Sequence, residues 1–535
     1  MVLEFDYIIV GGGSAGCVLA DKLSASGNYQ VCLLEAGPHD NHWMTKIPLA
    51  VVTLMRSKKR NWQFYSEPEP YLNNRRIFNP RGKTLGGSSS INAMLYVRGQ
   101  KEDYDHWQSL GNKGWSYHEV LPYFKAIQHQ ERGENEFHGE NGPLNVADSR
   151  AKPTINQHFI NAAQHLGIPL NQDFNGDVQE GIGYYQLTQK NGVRCSAATA
   201  FLEPNKTRKN LTVLTDVIVH NVIIEQGEAK GINCIYQGTK QEFIARKEVI
   251  LSAGAFNSPQ LLMLSGIGDP SELKKHDIPL KHALTGVGKN LQDHVDILTV
   301  FELNYHELLA YRFRSLLWSC KESIKYLLNR TGILTSPVAE TGGFIKTNSA
   351  ESRPDIQLHF IPAAMDDHGR NDAMLFKYGS ALHACLLRPK SRGCVTLNSA
   401  SPLQKPKVLL NMLSDEDDVR RMVEAVKISR AIFNQPPLSN LLSKEIFPGK
   451  SMQSDSEIEA FIRQKANTIY HPVGTCKMGQ DEEAVVDEQL RVKGVTRLRV
   501  ADASIMPTII SGNTNAPTMM IAAKAADMIL ADARK

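Results

Sequence analysis

Hydrophobic and polar positions near the amino terminus predict a strand, a glycine-rich turn, a helix and a second strand. The apolar, β-branched run at residues 5–10 leads directly into a turn at 11–16 with the spacing GxGxxG. A helix-like stretch at 17–23 then precedes a second apolar run at 31–34, which Glu35 closes. This order of elements predicts a complete βαβ unit.

The glycines of this unit predict a nucleotide site. Gly11 allows the tight turn, Gly13 lets the backbone approach a pyrophosphate, and Gly16 lets the helix pack on the strand. The start of the helix faces the phosphates with unpaired N–H groups. Glu35 is placed to bond a ribose diol, and an acidic residue there argues against a 2′-phosphate. FAD and NAD both remain open at this point.

Two further segments have patterns that suit a cofactor. Residues 81–94 pack glycines and serines into a loop that ends in apolar residues, and such a loop lets a flat ring lie against the main chain. A flexible surface loop is the alternative. Residues 249–251 predict a strand, and the segment 254–268 predicts a turn followed by a short apolar helix that stops at glycine.

Later in the chain the pattern changes from alternating strands and helices to grouped strands. Residues 355–360 alternate as a half-buried strand does, and residues 394–397 are a second short strand candidate. This order predicts an α/β domain combined with an α+β domain.

Composition excludes several classes of protein. The 535 residues are 42% hydrophobic and 22% charged, which excludes disordered, collagen-like and coiled-coil proteins. The formal net charge of +4 is too near neutral to indicate a nucleic-acid-binding protein. The sequence predicts no metal site.

The cysteines and the apolar runs bear on location. Eight cysteines show no CxxC pair and no zinc-site spacing, so we expect free thiols in a reducing compartment. The first strand-like run starts at Phe5 and leaves no room for a secretory signal. No stretch of about 18 uninterrupted apolar residues is present to span a bilayer. We therefore expect a cytoplasmic protein.

Together with residues 470–479 (YHPVGTCKMG) and 499–507 (RVADASIMP), these segments resemble the glucose-methanol-choline (GMC) oxidoreductase family, in family order. The resemblance implies FAD and a discontinuous two-domain fold: a Rossmann-like FAD-binding domain and an α+β substrate domain with an antiparallel sheet. We expect the FAD-binding domain to comprise residues 1–150, 195–300 and 462–535, and the substrate domain to comprise 151–194 and 301–461.

The resemblance also implies the residues that contact FAD. They are Gly11, Gly13, Ser14, Ala15, Gly16, Glu35, Ala36, Gly86, Gly87, Ser88, Asn92, Ala93, Met94, Val217, Asp502, Ala503, Asn515 and Thr518. Some relatives attach FAD through a histidine in the Gly-Gly-Ser loop. Ile91 occupies that position here, which predicts FAD that is not covalently bound.

Two residues near the carboxyl end are the catalytic candidates. Oxidation of an alcohol needs a base near neutral pH and a hydrogen-bond donor to the developing alkoxide. The resemblance assigns these roles to His471 and Asn513, with Tyr470 beside the substrate. The structural alternative is that Asn513 and Asn515 only cap the helix that Pro517 opens and that runs to about residue 530.

The substrate is less constrained than the chemistry. The resemblance is strongest to bacterial FAD-dependent aliphatic alcohol dehydrogenases, with choline dehydrogenases next. It implies oxidation of a primary aliphatic alcohol by hydride transfer to flavin N5. Choline oxidation is one alternative, and a FAD-containing hydroxynitrile lyase is an alternative of another class. Light-driven decarboxylases share the fold but do not fit the pair His471 and Asn513. Oligomeric state is not indicated.

A quinone is the electron acceptor that the resemblance implies, and quinones reside in lipid. Within residues 308–330, the side chains Leu317, Cys320, Ile324 and Leu328 form an apolar helical face. The same segment carries basic residues at 312, 314, 321, 325 and 330. It predicts either an amphipathic helix packed on its own domain or peripheral contact with the inner face of the cell membrane.

Overall fold

The structure is a computed structural model that describes residues 3–534. Its α-helices of five or more residues are Ser14–Ser24, Val51–Met55, Lys101–Ser109, Tyr117–Ile127, Thr154–His165, Gly254–Leu264, Pro270–Lys274, Phe313–Asn329, Glu416–Phe433, Asp455–Lys465 and Asn515–Asp532. The eight cysteines are all free thiols, as predicted.

The first sheet is built around the amino-terminal strand. Its seven strands are Leu211–Leu214, Val31–Leu34, Leu3–Val10, Thr239–Leu251, Glu228–Tyr236, Ile218–Glu225 and Leu498–Val500. The strands on either side of Leu3–Val10 run parallel to it, and Glu228–Tyr236 and Ile218–Glu225 extend the sheet in antiparallel fashion. The predicted βαβ unit is present, with its helix at Ser14–Ser24.

The second sheet is antiparallel. Its strands are Leu442–Phe447, Val295–Leu303, Gly379–Leu386, Ile356–Ile361, Thr341–Ile345 and Gly181–Tyr184, and Asn467–Thr468 pairs with Val295–Leu303. The helices Thr154–His165 and Glu416–Phe433 share a buried hydrophobic cluster with this sheet. The candidate strand at 394–397 lies elsewhere, as Cys394–Thr396 in a two-stranded sheet with Lys407–Leu409.

Two of the expected domain boundaries fall at strands of the second sheet, and the division into domains stays a prediction. The whole strand Val295–Leu303 belongs to the second sheet, although we expected residues up to 300 in the FAD-binding domain. The strand Asn467–Thr468 also belongs there, although we expected the FAD-binding domain to resume at 462. A strand is one hydrogen-bonded unit, so a boundary drawn by motif position cannot divide it.

The half-buried interpretation of residues 355–360 is wrong. All six residues of the strand Ile356–Ile361 are buried. Ile356, Leu358 and Phe360 enter the hydrophobic cluster, whereas His359 and Ile361 line an internal cavity. The alternation is therefore real, but its second face meets a cavity instead of solvent.

The apolar face predicted within residues 308–330 is not the face that packs on the protein. The helix Phe313–Asn329, called the surface helix below, buries only Ser315 and Tyr326. Leu317 is 57% exposed, Ile324 55% and Leu328 80%, and Cys320 is exposed as well. The apolar face that the sequence predicts thus points away from the protein. Within residues 3–534, no helix combines the length and apolar character needed to cross a bilayer.

Candidate active site

One continuous cavity extends from the glycine turn to the second sheet. It is lined by all the predicted FAD contacts except Gly16 and Gly86, namely Gly11, Gly13, Ser14, Ala15, Glu35, Ala36, Gly87, Ser88, Asn92, Ala93, Met94, Val217, Asp502, Ala503, Asn515 and Thr518. Tyr470, His471 and Asn513 line the same cavity, as does Ile91. Residues from both ends of the chain therefore meet in one space.

Glycines shape the wall where the turn meets the Gly-Gly-Ser loop. A Cβ on Gly87 would lie 2.7 Å from the Cα of Gly13, and Gly87 adopts a positive φ of 52°. A Cβ on Gly13 would meet nothing closer than 3.9 Å, although Gly13 lines the cavity. Gly16 does not reach the cavity because it packs on the carbonyl of Gly11, where a Cβ would approach to 1.9 Å. Gly13 therefore keeps space open for a ligand, and Gly16 keeps the helix against the strand.

Glu35 lies at the end of the second strand and is buried. Its carboxylate accepts hydrogen bonds from the backbone N–H of Gly12 at 3.0 Å and of Gly37 at 2.8 Å. Burial raises the pKa of Glu35 to about 7 despite these hydrogen bonds. The side chain lines the cavity at the place where the βαβ pattern puts a ribose.

Two long helices begin at the cavity with unpaired backbone donors. Ser14–Ser24 and Asn515–Asp532 both lack a side-chain cap and an acidic residue in the first turn. The structural alternative, in which Asn513 and Asn515 only cap the second helix, is wrong, because Thr514 occupies the cap position and Asn515 accepts a 2.7 Å hydrogen bond from Ser14 Oγ. Helix starts of this kind favour bound anions.

The two catalytic candidates are in direct contact. Asn513 Nδ2 lies 3.2 Å from His471 Nε2. On the other side of the imidazole, His471 Nδ1 lies 2.9 Å from Nδ1 of His294, and the two rings are perpendicular. Asn513 Oδ1 accepts a 3.0 Å hydrogen bond from Gln357 Nε2.

The backbone around His471 is held by buried polar groups. The Asp293 carboxylate accepts a 2.8 Å hydrogen bond from the backbone N–H of His471. Arg81 donates a hydrogen bond to the backbone carbonyl of Tyr470, and Tyr470 has a positive φ of 72°. Burial raises the pKa of Asp293 to about 6 and lowers that of Arg81 to about 10. These contacts fix the direction of the His471 side chain.

Burial controls the protonation of His471 itself. The pKa of His471 lies well below 6.5, first because the ring is buried and then because His294, His359 and Arg81 lie nearby. The imidazole is therefore neutral at neutral pH, which is the form that accepts a proton.

His368 and His383 line the cavity and belong to a buried polar cluster around Asp296. The Asp296 carboxylate lies 2.7 Å from His383 Nδ1 and 3.3 Å from His368 Nε2. It also accepts a hydrogen bond from the thiol of Cys385. Although burial alone would raise the pKa of Asp296, the imidazoles hold it well below its usual range. The other nitrogen of His368 lies 2.9 Å from the Tyr470 hydroxyl.

The same cluster contains the ligand types of a metal site. Ligand atoms of Asp296, His368 and His383 all lie within 4.8 Å of one another, and the three residues are buried. We assign no metal to them, because the carboxylate is already bonded by an imidazole and by a thiol.

Another part of the cavity lining is aliphatic. It comes from residues 51–55, 337–339 and 361–365, namely Val51, Val52, Met55, Pro337, Val338, Ala339, Ile361 and Met365. The cavity therefore combines one pair of polar reactive groups with an aliphatic surface.

Sequence reasoning missed several residues of the site. His294, His359, His368 and His383 were hidden among 17 histidines, and nothing local distinguishes them. One signal was available: in the alternating run at 355–360, the polar positions Gln357 and His359 face the site.

Comparison with known proteins places the chain among flavoenzymes. Two profiles of the family described as GMC oxidoreductase match residues 5–296 and 389–522. An alcohol dehydrogenase [acceptor] of Pseudomonas putida is 47% identical over 98% of this chain and 96% of its own length. The mitochondrial choline dehydrogenase of Mus musculus is 43% identical over 98% of this chain and 89% of its own length.

Solved structures agree in fold. Pyridoxine 4-oxidase from Mesorbium loti aligns with a TM-score of 0.89 at 29% identity and covers 98% of both chains. A formate oxidase aligns with a TM-score of 0.90 at 28% identity over 100% of this chain and 99% of that one. The two-domain fold expected from the sequence is thereby confirmed.

Proposed function

The chain belongs to the GMC oxidoreductase family, and from this premise we propose that it is a FAD-dependent dehydrogenase of primary aliphatic alcohols. One observation carries the proposal: the cavity that begins at the phosphate-binding turn ends at the contact between His471 and Asn513.

The residues present fit FAD. Uncapped helix starts and the open space at Gly13 suit a pyrophosphate, Glu35 suits a ribose, and Ile91 offers no nucleophile for a covalent link. Bound FAD supplies the hydride acceptor, flavin N5, that oxidation of an alcohol carbon requires. Gly13, Glu35, Gly87, Asn515 and the residues around them would hold it.

The catalytic pair fits an alcohol hydroxyl. A hydroxyl group donates one hydrogen bond and accepts others. His471 Nε2 accepts and Asn513 Nδ2 donates, and they lie 3.2 Å apart. As the alcohol becomes the aldehyde, His471 takes the hydroxyl proton while Asn513 stabilises the developing negative charge on oxygen. Tyr470 lines the cavity next to this pair.

The wall of the cavity supports an aliphatic substrate over choline. A quaternary ammonium is bound by aromatic faces and a free carboxylate. Here the Asp296 carboxylate is bonded by an imidazole and a thiol, and the wall at 51–55 and 337–339 is aliphatic. Choline oxidation stays a second candidate because of the 43% identity to the mouse choline dehydrogenase.

Anaerobic reduction by a panel of substrates tests the proposal. We expect primary aliphatic alcohols to bleach the visible absorbance of the flavin, and choline to bleach it more slowly at equal concentration. Faster bleaching by choline would select the second candidate. A flavin that stays oxidised with all alcohols while a cyanohydrin is cleaved would instead show a lyase.

We further propose that electrons pass to a quinone and that the surface helix contacts an anionic membrane from the cytoplasmic side. The helix exposes a continuous stripe of apolar side chains: Phe313, Leu316, Leu317, Cys320, Ile324, Leu327 and Leu328. Five basic residues and one acidic residue, Glu322, lie in 312–330, which suits an anionic surface. The helix packs on Ile333–Thr335, and the following residues 337–339 line the cavity.

Vesicle binding checks the membrane contact. Replacing Leu317, Ile324 and Leu328 by glutamine removes apolar side chains that are already exposed, so the fold should survive while binding to anionic vesicles is lost. Leu403→Gln changes an exposed leucine outside the helix, 63% exposed, and serves as the matched control. Unchanged binding of the triple variant would end the proposal.

A further inference from the structure

Two backbone carbonyls determine the proton position on His294. Its Nε2 lies 3.1 Å from the carbonyl oxygen of Leu387 and 3.1 Å from that of Ile510. Carbonyl oxygens only accept hydrogen bonds, so Nε2 must carry a proton. Burial lowers the pKa of His294 to about 4, so the ring is neutral and carries that proton alone. Its Nδ1 is consequently a bare acceptor.

This acceptor faces the catalytic candidate. Nδ1 of His294 lies 2.9 Å from Nδ1 of His471. Two unprotonated nitrogens at that distance would repel each other through their lone pairs, and neutral His294 has no second proton to donate. The proton between the rings therefore belongs to His471, and the lone pair of neutral His471 is on Nε2.

A second chain of hydrogen bonds approaches Nε2 from the other side. The Tyr185 hydroxyl donates to the carbonyl of Leu358 at 2.7 Å and accepts from Gln357 Nε2 at 3.4 Å. Gln357 Nε2 also donates to Asn513 Oδ1 at 3.0 Å. Asn513 must then turn its Nδ2 donor toward His471 Nε2. This orientation again requires a lone pair on Nε2.

We propose that His294 and Gln357 are positioning residues that hold His471 in the tautomer with the proton on Nδ1 and the lone pair on Nε2, directed at the substrate hydroxyl. The chain through His294 ends on the carbonyls of Leu387 and Ile510, and the chain through Gln357 ends on the carbonyl of Leu358. Because a carbonyl oxygen can only accept, the donor and the acceptor of every hydrogen bond in each chain are determined. The use of this lone pair in catalysis rests on the proposed function. The tautomer itself is a property of the protein alone.

Nuclear magnetic resonance of the holoenzyme tests the tautomer without any turnover. The protein is labelled with ¹⁵N-histidine, and the His471 signals are assigned by their loss in His471→Ala. We expect the proton on Nδ1 of His471 and on Nε2 of His294. A proton on Nε2 of His471, or an equal mixture of tautomers, would overturn the proposal.

Variants test the positioning role. His294→Leu removes the acceptor, so His471 Nδ1–H becomes a buried donor without a partner and the active tautomer is disfavoured. We expect the rate constant of flavin reduction by a primary alcohol to fall about 5- to 150-fold, the range given by the cost of one such donor. The dissociation constant of the alcohol should change little. His294→Asn, whose amide oxygen can replace Nδ1, should restore most of the rate.

Gln357→Glu provides an independent variant if His294→Leu does not fold. Its carboxylate accepts but does not donate, so Asn513 turns and presents Oδ1 to His471, which favours the inactive tautomer. A double variant of His294→Leu with His471→Ala should be no slower than His471→Ala alone, because both act through one group. Additive losses would contradict the positioning role. Absence of reduction in the unmodified enzyme would reject the proposed function, while the ¹⁵N spectrum still decides the tautomer.

Discussion

Replacement of His471 by alanine should slow the reduction of bound flavin by a primary alcohol about 10²- to 10⁴-fold. The imidazole lies 3.2 Å from Asn513 Nδ2, and the hydrogen bonds on both sides favour a lone pair on Nε2 that can take a substrate proton. Rapid-mixing measurement of flavin absorbance under anaerobic conditions gives the rate constant directly. Asn513→Ala should cost less, because Asn513 donates a hydrogen bond without moving a proton.

The pH profile separates loss of the base from a general disturbance. Because the pKa of His471 is lowered well below 6.5, first by burial, the base stays neutral on the alkaline side of that value. The unmodified enzyme should therefore reduce its flavin at a level rate above pH 6.5 and lose activity only in more acidic solution, as the imidazole becomes protonated. In His471→Ala this acidic limb should vanish.

A matched variant controls for the substitution. His106→Ala changes an exposed histidine in the helix Lys101–Ser109 and should leave both the rate and the pH profile unchanged. If His471→Ala kept its flavin and reduced it at the normal rate, another residue would have to be the base.

Replacement of Gly13 by valine should remove FAD while the fold is kept. Gly13 follows the first strand and lines the cavity, and a Cβ there has no protein atom within 3.8 Å, its nearest neighbour being the Cα of Gly87 at 3.9 Å. The side chain would therefore occupy the place of the pyrophosphate and not disturb the packing. We expect the flavin content of the purified protein to fall at least about tenfold, or about 1.4 kcal/mol of binding free energy.

Flavin content and thermal unfolding together check this prediction. The unfolding midpoint of Gly13→Val should equal that of the unmodified protein after its FAD has been removed. Gly27→Ala has no atom near its Cβ and serves as the control that keeps its flavin; because Gly27 has a φ of +77°, this variant controls flavin content and not the unfolding midpoint. Full flavin content in Gly13→Val would show that the pyrophosphate lies elsewhere.

Local sequence determined the elements that line the amino-terminal end of the cavity. The βαβ unit, the helix Gly254–Leu264 and the strand Val31–Leu34 were all predicted, because their signals are short-range: an apolar run, a glycine at a required position, a helix stop. Gly16 is an example, since a helix start that close to the strand has no room for a Cβ. Short-range signals of this kind do not determine domain boundaries. The strand Val295–Leu303, for example, pairs with the strand Gly379–Leu386, about 80 residues further along the chain.

What surrounds an amphipathic element was decided only by the tertiary structure. Periodicity shows which side of a helix or strand is apolar, but it does not show what covers either side. The polar face at 355–360 therefore meets a cavity, and the apolar face at 317–328 meets solvent. His294 stands 177 positions before His471 in the chain, and the direction of its hydrogen bonds is set by the carbonyls of Leu387 and Ile510. Sequence thus predicted His471 and Asn513 as the reacting groups, whereas packing made the hydrogen bonds from which we infer the nitrogen of His471 that takes the proton.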